Sequence, residues 1–223
     1  MRVRRQAAEH GRPAILALAL ALAALESSLA AAQTAGPSDA LALLAKAAAG
    51  FGNGAANTSA FTQIYTPAGF ATSRRESGTV WVQAPERLRF DYSAPDVKVF
   101  TYDAGEGRFF SPEDKQLTVH TLSPDERARL PIVFLEKPDE LARRYEISRD
   151  ASGVVVLKPR AGDSELAWLK LAISPAGVVG MLAYEDTSGN RTEFRFEGWK
   201  AEKARPAADY RVAGPKGTRV VSN

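Results

Sequence analysis

The chain is 223 residues long, sets 29 basic against 26 acidic residues, and contains two histidines and no cysteine. Without cysteine there can be no disulfide, thiolate metal centre or cysteine nucleophile. One of the two histidines falls at position 10, which leaves too little imidazole for a multi-histidine zinc site.

Arg2, Arg4, Arg5 and Arg12 precede a continuous apolar run, PAILALALALAAL (13–25), which gives way to the small residues of SSLAAAQ (27–33). These are the three parts of a secretory signal peptide. The run is short for a membrane span. The sequence therefore predicts a leader over 1–30, cleaved after Ala30 or Ala32, and one exported, soluble domain over 31–223. No cysteine follows the small residues, so no lipid anchor is expected at the mature terminus. The leader holds four arginines and two glutamates and so contributes +2 of the net +3, and the near-neutral remainder gives no reason to expect nucleic acid as a partner.

Three helices are predicted. SDALALLAKAAAGFGNG (38–54) has Ser38 as N-cap, Leu41, Leu44 and Ala48 at helical spacing, and a glycine stop. SPDERARLPIVFLE (123–136) starts with Ser123 as cap and Pro124 at the first helical position, and Pro131 should break or kink it. KPDELARRY (137–145) is the third.

Most other segments alternate with period two and read as strands. GTVWVQA (78–84) places Val80, Val82 and Ala84 together. APERLRFDYSAPD (84–96) sets Leu88, Phe90 and Tyr92 against Arg87, Arg89 and Asp91. QLTVH (116–120), WLKLAI (168–173), RTEFRFE (191–197) and DYRV (209–212) repeat the habit. Turn signals at 103–107, 111–114, 150–153, 174–177 and 186–190 separate them as consecutive hairpins. The pattern predicts about ten strands in one strongly curved sheet. Its apolar faces should all lie on the concave side, with the helices as the only material to fill it.

Catalytic groupings are absent from the pattern. His120 alternates with polar neighbours and reads as an ordinary surface strand residue. No nucleophile elbow is present, and GFGNG (50–54) lacks the lysine of a phosphate-binding loop. No enzymatic activity, cofactor or metal is expected.

The order of these features resembles the periplasmic outer-membrane lipoprotein carrier (LolA-like) family. SAFTQIY (59–65) is similar to its first strand, SGTVWVQAPERLRFDYSAPD (77–96) to its next hairpin, and DAGEGRFFSPEDKQLTV (103–119) to the one after. LPIVFLE (130–136) resembles its lid segment, EDTSGNRTEFRFEGW (185–199) its late hairpin, and GPKGTRVV (214–221) its ending. The resemblance implies a mainly β (α+β) fold. This would be an unclosed antiparallel barrel of about 10–11 strands with a lid of about three α-helices over an apolar cavity. It also implies acylated lipoproteins as cargo, taken from an inner-membrane ABC release complex and given to an outer-membrane lipoprotein acceptor, by a protein expected to be monomeric. Val80, Val82, Leu88, Phe90 and Tyr92 are expected to line the sheet side of the acyl cavity. Ile132, Val133 and Leu135 are expected to line the lid side. The family usually places an arginine, thought to hold the lid closed, where this chain has Ala84.

Overall fold

The computed structural model describes residues 37–128, 130, 132, 135, 137–160 and 164–222. The predicted leader and Val133 lie outside them. Helix α1 (Pro37–Phe51) leads into β1 (Ala56–Thr66), β2 (Arg74–Gln83), β3 (Arg87–Ala94), β4 (Lys98–Asp103), β5 (Glu106–Ser111) and β6 (Gln116–Thr121). Helices α2 (Pro124–Ala128) and α3 (Pro138–Arg144) follow. Then come β7 (Tyr145–Arg149), β8 (Val155–Pro159), β9 (Leu166–Ile173), β10 (Val179–Asp186), β11 (Arg191–Glu202) and β12 (Arg219–Ser222).

All twelve strands form one sheet, in the order β12-β6-β5-β4-β3-β2-β1-β11-β10-β9-β8-β7. β12 and β7 are its unpaired edges, so the barrel does not close. The chain crosses from the β6 side to the β7 edge through α2 and α3, the only α-helices between strands among the described residues. The predicted turns all fall in hairpin connections. Four carry a glycine at positive φ, where a β-carbon would be strained: Gly105, Gly153, Gly177 and Gly189.

α1 is held by its apolar stripe. Ala40, Leu44, Ala47 and Phe51 follow helical spacing and are all buried. The helix lies against β7 and β9. Phe51 meets the Trp199 ring edge-on at 5.0 Å, and Lys46 Nζ donates to the Pro175 carbonyl at 3.0 Å. At the β9–β10 turn a β-carbon on Gly177 would stand 3.0 Å from the Lys46 carbonyl, so the turn meets the helix at backbone contact.

The convex face of β2–β5 is also covered. Residues 205–212 cross it as a strap. Gln83 Oε1 accepts from the Arg205 amide at 2.9 Å and from the Tyr210 hydroxyl at 3.3 Å. Arg89 donates to the Asp209 carbonyl at 2.8 Å, and the Val212 amide donates to Thr101 Oγ1 at 3.2 Å. The Asp103 carboxylate, 6% exposed, is shared by Arg87 at 3.1 Å and Arg211 at 2.7 Å. Tyr210 is buried in the middle of the strap.

Four expectations are corrected. Residues 209–212 are not a strand: Ala207–Tyr210 form a 3-10 turn inside the strap. The alternation of Tyr210 and Val212 serves to plug the back of the sheet. The helix expected over 123–136 stops at Ala128, short of Pro131, in keeping with the bias of residues before proline against helix. The sheet is not wholly antiparallel, because β12 runs parallel to β6. The apolar faces do not all point inward. In β6, Thr118 and His120 pair with Phe109 and Gly107 and share the concave face with them, which turns Leu117 and Val119 to the convex side. There Leu117 is buried, with Val220 of β12 beside it in the sheet.

Burial pushes the Tyr210 phenol from its ordinary 10.0 up to about 12. The folded protein keeps that proton where the unfolded chain loses it. Its contribution is therefore complete below pH 10.0 and is lost as pH rises through about 12. In urea melts at pH 8 and pH 11, Tyr210→Phe should be less stable than the wild type by about 0.5–1.5 kcal/mol at pH 8. The gap should narrow at pH 11.

Candidate functional site

The sheet registers put one aromatic row on the concave face. Phe61 packs edge-on against Phe90 at 4.7 Å and against Tyr92 at 5.0 Å. Phe90 lies 5.4 Å from Phe194, Phe194 stacks with Phe196 at 6.3 Å, and Phe196 meets Trp199 at 5.2 Å. The row thus runs from Tyr92 near the rim to Phe51 of α1. Such offset and edge-on pairs add to the value of their burial.

α1 closes one half of this concavity. In the other half, under the start of the lid, the row borders an open cavity of about 390 Å³. Its aromatic wall is Phe90, Tyr92, Phe100, Phe109, Tyr184 and Phe194; Leu122 and Leu130 approach from the lid side. A β-carbon on Gly107 would lie 2.3 Å from Leu122 Cδ1, so Leu122 occupies the space a side chain there would need. The size is within the usual range for small-molecule sites.

Of the predicted lining residues, Phe90 and Tyr92 border this cavity. Val80, Val82 and Leu88 lie in the packed core, each at most 1% exposed. Ile132 and Leu135 border a different cavity, of about 460 Å³, with Tyr102, Glu86 and Arg127. As cavity residues, sequence reasoning missed Phe100, Phe109, Leu122, Leu130, Tyr184 and Phe194. Phe100 was within reach, since Lys98, Phe100 and Tyr102 alternate in phase. Phe109 was not, because Phe110 beside it is equally aromatic and leaves the phase open.

His120 is corrected from a surface residue to one on the cavity wall. Its Nε2 lies 3.1 Å from both carboxylate oxygens of Glu126 on α2. Glu126 also caps its own helix: Glu126 Oε2 accepts from the Ser123 amide at 2.7 Å, while Ser123 Oγ accepts from the Glu126 amide at 3.2 Å. This reciprocal capping box was present in the sequence as Ser-x-x-Glu. The amide of Ser123 chiefly, and His120 after it, hold the Glu126 carboxyl below the usual range.

A second tie joins lid and sheet at Tyr102. Burial, and then the charge of Glu86, raise the pKa of the Tyr102 phenol, and Arg127 of α2 opposes the rise by interacting with the hydroxyl. The contact between guanidinium and sheet is thus made from the lid, where the resemblance had led one to expect an arginine on the sheet. A larger cleft of about 590 Å³ lies outside the concavity, bordered by Ser123, Asp125, Arg143, Arg144, Arg160 and Glu165 among others. Its charged wall suits a hydrocarbon chain less well.

The Glu126 carboxylate stabilises the docked helix above its unfolded pKa of 4.5, and that contribution is lost as pH falls through the depressed folded value. Amide hydrogen exchange in α2, corrected for the intrinsic rate, should accelerate on acidification below pH 4.5. In Glu126→Ala, which has no acceptor for the Ser123 amide, it should be fast throughout and insensitive to pH.

Residues 55–212 match the model of the family described as outer membrane lipoprotein carrier protein LolA. A relative from Xanthomonas campestris pv. campestris (strain B100), named outer-membrane lipoprotein carrier protein, is 28% identical over 169 residues, covering 73% of this chain and 80% of its own. One of the same name from Pseudomonas entomophila (strain L48) is 24% identical over 167 residues, covering 74% and 80%. Among solved structures, a LolA superfamily protein from Nitrosomonas europaea aligns with 77% of this chain and 96% of its own, at 12% identity and a TM-score of 0.44.

Proposed function

We propose a carrier function, on the premise that the chain belongs to the outer membrane lipoprotein carrier protein (LolA) family. The protein binds the acyl chains of lipoproteins in the periplasm and carries them from the inner to the outer membrane. It is loaded by an inner-membrane ABC release complex and unloaded by an outer-membrane lipoprotein acceptor. The leader over 1–30 delivers it to that compartment. It works as a binding protein, without enzymatic chemistry.

The observation that carries the reading is the aromatic-walled cavity of about 390 Å³ on the concave face, bordered by the lid. Burying hydrocarbon from water stabilises by about 0.8 kcal/mol per methylene. The competing site for cargo is a membrane, against which the net gain is near zero. A carrier at that balance can be filled by a donor that does work and emptied by an acceptor with a small advantage. The lid fits this role. α2 is five residues long, and among the described residues its ties to the sheet include Leu122, the His120–Glu126 contact, Arg127 at Tyr102 and the Asp125 carboxylate, which accepts from the Glu165 amide at 3.1 Å. More than one chain would require the lid to move aside and expose Val80, Val82 and Leu88.

Ala84 favours a second reading, a periplasmic lipid-binding or lipoprotein-sensing module on the same scaffold. Mass spectrometry of what co-purifies separates the two: acylated polypeptide supports the carrier, and phospholipid alone supports the module.

Phe109 borders the cavity yet is 38% exposed, so Phe109→Glu can be made without breaking the core. It should lower affinity for an acylated peptide at least roughly tenfold, leave the melting temperature nearly unchanged, and abolish release of lipoproteins from spheroplasts. Val178→Glu, at an exposed site elsewhere, should leave affinity, melting temperature and release unchanged. Unchanged binding by Phe109→Glu would remove the cavity from the mechanism.

A further inference from the structure

One cluster on the concave face is not explained by hydrocarbon binding. Beside the aromatic cavity, and sharing Tyr92, Phe100 and Phe109 with it, lies a second open space of about 400 Å³. Its wall carries Arg74, Glu76 and Lys98. Lys98 Nζ donates to Glu76 Oε1 at 2.5 Å and stands 4.6 Å over the Tyr92 ring. The Glu76 side chain is 8% exposed. Arg74 lies 5.9 Å over the Tyr65 ring, and the Tyr92 hydroxyl donates to Gln63 Oε1 at 2.6 Å.

This is a poor arrangement for stability alone. Withdrawing an ion pair from water offsets most or all of its attraction, and the backbone ladders through β3 already join β2 to β4. The charges are also unequal: two cations face one carboxylate, Lys98 and Glu76 being largely withdrawn from water and Arg74 exposed at the rim, which leaves the wall net positive. An ammonium has three donors, and Glu76 takes one of them. Burial keeps the Tyr92 phenol protonated, so it adds no negative charge. What the wall lacks is an anion with oxygen acceptors, one chain's end away from the aromatic groove.

We propose that Lys98 and Arg74 form a head-group subsite. It takes the anionic end, a carboxylate or a phosphate monoester, of a single-chain lipid whose hydrocarbon lies along Phe100 and Phe109. The proposal rests on the acyl-binding reading and narrows it. Acyl esters and amides of a lipoprotein are neutral and would use the aromatic groove alone, whereas an anionic lipid engages both spaces.

The test is titration of the purified protein at pH 8 with palmitate, palmitoyl lysophosphatidate and methyl palmitate. The subsite predicts that at least one anion binds roughly tenfold or more tightly than the ester, as charge-assisted hydrogen bonds require; whichever anion shows the preference identifies the source of the head group. The double variant Glu76→Gln/Lys98→Met removes the pair without leaving a buried charge. It should bind the ester as the wild type does and lose most of the preference. Equal binding of all three ligands by the wild type, a comparison that needs no variant, overturns the subsite and leaves acyl binding standing. A preference that survives intact in the triple variant with Arg74→Gln added overturns the assignment to these residues. Failure of all three ligands to bind overturns the acyl-binding reading and the subsite with it.

Discussion

The fold depends on α1 seated against the concave side of the sheet. A single curved sheet of this width has an inner face too apolar to leave in water, and no second sheet to cover it. Ala40, Leu44 and Ala47 are fully buried there, and Phe51 continues into the aromatic row through Trp199. Backbone contact at Gly177 shows how closely the helix is seated. α1 lies over β7 and β9, which stand toward the other end of the sheet order from β3–β6. Among the described residues, a five-residue helix and a few apolar side chains stand there. The cavity is the space left over when one full-length helix serves a twelve-stranded sheet.

The two covers of the sheet differ in how firmly they are fixed. On the convex side the strap is bound through Gln83, Thr101, Asp103 and Tyr210, all of them buried. Unmaking it would strand polar groups away from water, at a cost of about 1–3 kcal/mol for each one left unpaired. It backs the strands whose other face carries Phe90, Tyr92 and Phe100. On the concave side the polar ties of the lid include the half-exposed His120 and Glu126, beside the buried Tyr102 and Ile132. A stiff wall and a lightly held cover are what a site that fills and empties requires, because the element that moves must come from the low-stability end of the structure.

Much of this was legible in the sequence. The alternation of Leu88, Phe90 and Tyr92 with Arg87, Arg89 and Asp91 set the faces of β3 correctly, and the turn glycines marked the hairpins because few other residues adopt positive φ. What could not be read was which side of a strand is inside. Leu117 and Val119 alternate as well as Leu88 and Phe90 do, yet they face the other way, as their pairing with Phe110 and Arg108 fixes. Tyr210 and Val212 have the spacing of a strand but plug the back of one. Arg87 and Arg89 looked solvent-facing, whereas they are half-buried under the strap, paired to Asp103 and the Asp209 carbonyl. Period two distinguishes two faces and assigns neither to the core; only long-range partners do so. Within the site, Phe90 and Tyr92 were found by phase, whereas His120 was assigned to solvent because its neighbours in phase are polar.

The central claim, that the concave cavity holds the acyl part of a passenger, is tested most directly by photo-crosslinking in cells. Phe109 is replaced with p-benzoylphenylalanine, and Val220, which is exposed at the sheet edge, is replaced in a second strain as control. Irradiation should join position 109 to acyl-bearing polypeptides and leave position 220 without them. No acylated adduct at position 109, or the same adducts at both positions, would contradict it.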